Sequence, residues 1–451
     1  MMSAFKNSVR AFRADIFLFF LALAVQLVIF VITLFWGTGG FLWSSDAESY
    51  FTLAKNVLQH GGFYVDISWG PSAFRTPLYP LFVAVLYWLV PKLEFVIFIQ
   101  NLVGAASVVL VYRLGQMLFS NRVAFLASLL FLFESQRLQV TNQLMSEALF
   151  LVFFIPALIF FFRYRSEKRI LLIAASAIFL GLATLTKPIT QFLPFVMAAF
   201  LLFERPLSKT WRRNGVTAAV FLSGFLIVIS PWVIRNGIRF DEWRLSPLGG
   251  TNLYFVNAAH FLQYKAKDAG VFKEFQEELT DKALRDLNLN LDRSDWVRQS
   301  IRLMEFEYEP YFTREAMRII SADPLAYIGV HARRAAAFFI DSSLSRSASA
   351  ITFHMPNRPD WIFYPYLYWG GRFVWMGIWL TIAAAFILNW RMIKTRTWHY
   401  AFFFTAMLYF AALAAMNWDA PRMRLPVNPL IFLLFAESAF LLLDHLRKKK
   451  A

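Results

Sequence analysis

The chain has 451 residues, of which 58% are hydrophobic, with 51 Phe and no Cys. That apolar share is above the norm for soluble domains, and the lack of cysteine excludes structural disulfides, thiolate metal sites and a cysteine nucleophile. The net charge of +16 would suit a nucleic-acid partner, but residues 236–365 hold 16 Lys and Arg against 17 Asp and Glu, so the excess lies in short basic connectors between apolar runs. The composition therefore predicts an all-α polytopic membrane protein in contact with membrane lipids and with no nucleic-acid partner.

The first apolar run, Ile16 to Trp36, is too long for a signal core and lacks a small-residue cleavage site, so it is expected to stay as a span. Loop one (37–76) follows, with "SSDAESYFTLAKNVLQHGGF" starting at Ser44. Ser44 and Ser45 are N-cap candidates there, and Asp46 and Glu48 fall in the first helical turn, where the dipole favours acids. "PLYPLFVAVLYWLVP" (77–91) is apolar but covers only ~22 Å as a helix, and prolines bound it. It is predicted to be re-entrant or interfacial rather than crossing. Further spans are expected at 94–118, 122–138, 146–162, 170–186, 188–203, 215–234, 367–390, 398–416 and 425–444, making about ten with the first.

The basic segments are the N-terminus with Lys6, Arg10 and Arg13, "RYRSEKR" (163–169), "ERPLSKTWRR" (204–213), "RMIKTR" (391–396) and "RKKK" (447–450). Positive connectors mark the cytoplasmic side, which puts both termini inside and loop one and 236–365 outside. The expected organisation is a membrane module over 1–235 with loop one as its outer feature, a small outer helical segment over 236–365, and C-terminal spans over 366–451. Within the outer segment, "DPLAYIGVHARRAAAFFI" (323–340) reads as an amphipathic interfacial helix.

The outer helix ends then collect acids and bases. Loop one carries Asp46, Glu48, Asp66 and Arg75; the loop at 134–147 carries Glu134, Arg137 and Glu147; "TKPITQ" (186–191) carries Lys187; "NWDAPRMRLP" (417–426) carries Asp419, Arg422 and Arg424. A carboxylate there can take a proton from a hydroxyl, while Arg and Lys can hold phosphate, Arg with a bidentate fork. Together they suit group transfer from a membrane-bound phosphate ester, whose leaving phosphate gains charge that fixed cations stabilise. Each residue also has a plainer role open to it. Asp46 can serve as a helix cap, Lys187 can snorkel, and Arg422 and Arg424 can anchor a span in headgroups, although an outside basic cluster runs against the usual bias. Trp and Tyr near the interfaces read as belt residues. His60, His260, His331 and His354 are scattered without metal-ligand spacing.

"DAESYFTLAKNVLQHGGFYVD" followed by "FRTPLYPLFVAVLYWL" resembles the type-C glycosyltransferases, and within them the bacterial branch related to protein O-mannosyltransferases and aminoarabinose lipid A transferases. "YRLGQMLFSNR", "MSEALF", "LATLTKP", "PWVIRNGIRFDEWRLSPLGGTNLYFVN" and "RMRLPVNPLIFLLFA" extend the likeness in order over about two thirds of the chain. The resemblance implies a membrane module with interfacial helices in loop one. It also implies transfer of a sugar from a polyprenyl-phosphate carrier to an envelope lipid, glycan or protein on the outer face of a bacterial inner membrane, usually with inversion. Asp46 falls at the loop-one catalytic acid and Glu48 where some relatives carry a second one. Arg75 falls at the basic residue before the proline stretch, with Thr76 intervening. Arg75, Lys187, Arg422 and Arg424 are the expected donor-phosphate contacts, and Arg235 is a weaker candidate. Metal dependence varies across the superfamily. Loop one has no dense carboxylate cluster, so a required divalent metal is not favoured and no other cofactor is expected.

Two other classes fit the same sequence. A transporter or flippase of lipid-linked sugars would use the cations without chemistry, but should carry mid-bilayer charges and a repeat, neither of which is visible. A non-catalytic partner in envelope assembly is the third.

Overall fold

A computed structural model describes the backbone of residues 2–35, 40–42, 44–203, 207–267, 272–289, 301–345, 347, 363–389, 394–414 and 419–450. The starts of the connectors at 204–213 and 391–396, His354 and the first two residues of 417–426 lie outside the described residues. Among the described residues there is no strand. The helices, in chain order, are α1 (Met2–Phe35), α2 (Ser45–His60), α3 (Leu78–Leu89), α4 (Leu93–Leu118), α5 (Asn121–Leu132), α6 (Ser135–Thr141), α7 (Glu147–Glu167), α8 (Ile170–Thr186), α9 (Leu193–Leu202) and α10 (Leu207–Phe240). They continue with α11 (Leu248–Asn252), α12 (Ala259–Ala266), α13 (Phe272–Asp286), α14 (Glu309–Ser321), α15 (Pro324–Ile340), α16 (Phe363–Leu388), α17 (Thr397–Ala414), α18 (Ala420–Arg424) and α19 (Asn428–Lys450).

Six of the described helices are long and apolar enough to cross a membrane: 13–35, 93–118, 147–167, 211–240, 365–388 and 428–448. The chain is thus a multi-pass membrane protein. The expected span at 122–138 is instead two helices, α5 and α6, bent by 57°. The bend has a local cause. Arg137, fully buried, turns back and donates to the carbonyls of Phe131 (2.9 Å) and Leu132 (2.5 Å), while the Glu134 carboxylate caps α6 at Arg137 N (2.7 Å). Counting that pair as one span gives seven rather than about ten. The helices at 170–186 and 188–202 form as expected but are shorter apolar helices, as is α3. Twelve residues of α3 reach only ~18 Å, in keeping with a segment that does not cross.

The membrane helices pack in the sequence α1, α4, α7, α8, α10, with α5 against α4, α19 against α5 and α16 against α19. One apolar core runs through all of them, from Leu18 on α1 to Phe432 on α19. Close approach at the centre depends on Gly104 of α4, where a Cβ would lie 2.5 Å from the Gln26 side chain and 2.6 Å from that of Thr141. The segment after α10 folds as helices. α11 runs into a π-helical turn, Leu253–Ala258, and α12, α13 and α14 close around Tyr254, Leu279 and Phe312 as a second core. α15 forms as expected with Asp323 as its N-cap (3.1 Å to Ala326 N); Val330 and Phe338 are buried while Leu325 and Ile328 are exposed.

Candidate active site

Loop one begins with a capped helix. Ser44 accepts from Ala47 N at 3.2 Å, which starts α2 and puts Asp46 in its first turn. The cap is therefore Ser44, and the Asp46 carboxylate is free for tertiary contacts. α2 stops at Gly61, whose φ of +67° is left-handed and suits glycine, and the chain returns through 62–76 to bring Arg75 over the start of the helix. The Arg75 Nη2 donates to Asp46 Oδ1 and its Nε to Ser49 Oγ (3.2 Å). Its guanidinium lies 4.6 Å from the Tyr50 ring and 4.2 Å from that of Phe74.

Two more chain segments complete the cluster. From α18, Arg422 donates through Nη1 to Asp46 Oδ2 (2.6 Å) and through Nε to Glu147 Oε1 (2.5 Å). Lys187, directly after α8, donates from Nζ to the same Glu147 oxygen (2.7 Å). Charges alternate along the line Arg75, Asp46, Arg422, Glu147, Lys187. Three cations face two carboxylates along this line, and the Asp419 charge acts on Arg422 as well. Glu147 opens α7 after the turn 140–146. Gln100 of α4 holds that turn by donating to the carbonyls of Val140 (3.2 Å), Thr141 (2.9 Å) and Gln143 (2.6 Å). Tyr50 ties α2 to the same turn through Ser146 Oγ (3.2 Å). Glu147 Oε2 is buried and has no hydrogen-bond partner.

Burial pushes the Asp46 carboxyl up, but the Arg75 and Arg422 guanidiniums outweigh it and hold the group far below the usual carboxylate range. Burial also pulls the two arginines down, yet their carboxylate partners leave both above the ordinary arginine value. Lys187 is held below its ordinary value, mainly by burial, with Glu147 opposing. The side chains are only partly accessible: 29% for Asp46, 13% for Arg75, 10% for Arg422 and 12% for Lys187. They form one ionised, partly accessible cluster.

Of the residues singled out from sequence, Asp46, Arg75, Lys187 and Arg422 converge. Glu48 does not, because it sits two positions on in α2 and is exposed. Arg424 does not either. It is fully buried beside Trp375 (3.6 Å) and donates to the carbonyls of Phe338 (2.6 Å) and Asp341 (2.7 Å), so it ends α15 rather than facing the cluster. Arg235 packs on Trp232 (4.5 Å) and donates to Asn236. Glu147, in "MSEALF", is among the outer acids that the sequence collects but not among the site candidates named there. The available signal was an acid opening a long apolar helix, with a lysine closing the next one. Among the described residues, no group of three or more His, Cys, Asp or Glu side chains converges on a point.

Residues 74–234 match the model of the dolichyl-phosphate-mannose-protein mannosyltransferase family. The likeness to the type-C glycosyltransferases read from the motifs therefore holds over that stretch, which contains Arg75, Glu147 and Lys187. No curated protein matches the chain. Among solved structures, ArnT from Cupriavidus metallidurans bound to undecaprenyl phosphate is 15% identical, with a TM-score of 0.39, covering 93% of this chain and 77% of that one. The archaeal oligosaccharyltransferase AglB from Archaeoglobus fulgidus, in complex with an inhibitory peptide and a dolichol-phosphate, is 13% identical at a TM-score of 0.47, covering 95% and 51%. The Archaeoglobus fulgidus oligosaccharyltransferase in complex with Zn and sulfate is 16% identical at 0.49, covering 94% and 51%, so this chain spans about half the length of the archaeal proteins.

Proposed function

We propose that the chain is a glycosyltransferase that moves a sugar from a polyprenyl-phosphate carrier to an envelope lipid, glycan or protein, at the outer face of a bacterial inner membrane. The observation that carries this reading is the line of three cations and two carboxylates at helix ends rather than in mid-span. The family match over 74–234 supports the same reaction class.

In this reading the acceptor hydroxyl oxygen attacks the sugar's anomeric carbon from the face opposite the carrier. The carbon–oxygen bond to the phosphate breaks, and the electron pair leaves with the phosphate. Arg75, Arg422 and Lys187 stabilise the growing charge, and the hydroxyl proton goes to Asp46. Without a donor, both Asp46 oxygens accept from arginine, and a carboxylate held so acidic is a weak base. A phosphate entering beside Arg75 and Arg422 competes for the same N–H groups. Each contact it takes from Asp46 returns basicity to the carboxylate, so donor binding and base activation are coupled. Glu147 keeps Arg422 and Lys187 in register, holding both through one oxygen.

The test is purified protein in detergent, incubated with a panel of labelled polyprenyl-phosphate sugars and envelope extracts. Acceptor-dependent release of free polyprenyl phosphate and label in a new product is the expected result. Donor that binds but is returned intact across the panel, with label carried across proteoliposome membranes, would replace the enzyme reading by a flippase.

A further inference from the structure

Arg75 is reached by a short irregular stretch of chain, and the 236–365 segment grips each of the three residues before it. Glu305, in the turn between Leu303 and Tyr308, accepts from Ser72 Oγ with Oε1 (2.5 Å) and from Ala73 N with Oε2 (3.0 Å). Ser246 Oγ donates to Phe74 O (3.0 Å). The Phe74 ring, on which Arg75 lies, is buried with Leu53, Val65 and Ile301. Tyr308 N and Glu305 N close the turn on the carbonyls of Glu305 (3.2 Å) and Arg302 (3.3 Å), so the carboxylate comes from a fixed base.

We propose that Glu305 is a positioning residue for the site: it fixes residues 72–73 and so sets Arg75 against Asp46. Both oxygens are used, one on Ser72 and one on Ala73. Gln keeps the reach, with its oxygen for Ala73 N and its amide able to donate to the Ser72 hydroxyl, whereas Asp is shorter by a methylene. The segment 236–365 thereby becomes part of the site without contributing a group to the ion cluster. The ligand in the test below is that of the proposed function, whereas the positioning itself does not depend on it.

Two arms separate these. In the first, Arg75→Cys is made in this Cys-free chain and labelled with a methanethiosulfonate reagent, with Glu305 intact or replaced. Glu305→Ala should speed labelling by about tenfold, the equivalent of one charge-assisted hydrogen bond. Glu305→Gln, which keeps the shape and one acceptor, should give a smaller rise. In the second arm, undecaprenyl phosphate binding in detergent micelles is measured for Arg75→Ala, Glu305→Ala, Glu305→Gln and the Arg75→Ala/Glu305→Ala pair. Glu305→Ala should weaken binding by about tenfold, Gln should restore most of it, and the pair should bind no worse than Arg75→Ala alone. Unchanged labelling in both Glu305 variants overturns the proposal. So does a Glu305→Ala loss that is equally large with and without Arg75, because Glu305 would then act elsewhere. If the unaltered protein fails to bind undecaprenyl phosphate, the functional reading falls, and the labelling arm alone decides the positioning.

Discussion

Arg422 Nη1 donates to Asp46 Oδ2 at 2.6 Å across 376 positions of sequence. Its Nε holds Glu147 at 2.5 Å, so one guanidinium joins loop one, the start of α7 and the short helix before the last span. A planar fork can do this because its N–H groups diverge in one plane; an ammonium ion has no such geometry.

Arg422→Ala should therefore be the most damaging single change in the cluster. It leaves Asp46 facing only Arg75 and Glu147 facing only Lys187, both largely buried. Each carboxylate keeps one partner, so the cost should fall short of the roughly 3–5 kcal/mol of orphaning a buried charge, and thermal unfolding in detergent should still register a clear drop. Arg422→Lys should recover the charge but only part of the stability, since one ammonium serves two carboxylates poorly. Equal stability of the Lys and native proteins would show that charge alone matters there.

Much of this was legible in the sequence. The apolar runs mark most of the long helices, the Pro-bounded 77–91 marks α3, and four of the six residues singled out as site candidates meet in space. The misses have physical causes. Hydropathy cannot register that Arg137 turns back on the carbonyls of α5, so a bent pair reads as one span. Charge type cannot show direction: Arg422 and Arg424 are two residues apart on one helical turn and therefore point different ways, one to Asp46 and the other to the end of α15. Glu305 is distant from loop one in sequence, and nothing in its neighbours marks it as a partner for Ser72.

Arg424 is expected to govern structure rather than donor affinity. Burial holds its guanidinium down to about 10, and it satisfies two carbonyls that would otherwise be buried without donors. Arg424→Met keeps the packing on Trp375 and removes the donors. Each orphaned carbonyl costs about 1–3 kcal/mol, so this variant should melt well below the native protein yet bind polyprenyl phosphate normally when folded. Loss of phosphate affinity in folded Arg424→Met would return this residue to the donor site.

Glu305 gives a pH dependence with a definite sign. Burial pushes its carboxyl up to about 7, against the opposing pull of Ser72, Ala73 and the Arg235 charge. The folded protein then holds this proton more tightly than the unfolded chain, whose Glu titrates near 4.5. The contribution to stability is complete below that lower value and is lost as pH rises through about 7. The melting temperature of the native protein relative to Glu305→Gln, which does not titrate, should fall from pH 5 to pH 8. A difference that stays flat over this range would mean that Glu305 is ionised throughout.

Asp46 allows the sharpest separation of roles, because the cap and the candidate base are different residues. Ser44 makes the cap bond to Ala47 N, so Ser44→Ala should lower stability by about 1 kcal/mol and leave turnover nearly intact. Asp46→Asn keeps the size and one acceptor oxygen but cannot take the proton, and its amide meets an arginine where the second oxygen stood. It should insert and fold with reduced stability, still bind donor through Arg75, Arg422 and Lys187, and turn over about a hundredfold slower or worse at saturating substrates. Glu48→Gln is the control on the same helix: exposed and outside the cluster, it should change stability by no more than about 0.5 kcal/mol and turnover hardly at all. Near-native turnover in the Asp46→Asn protein would leave Asp46 as a structural counter-ion for two arginines and require the acceptor proton to go elsewhere, with the unpartnered Glu147 Oε2 the first group to replace next.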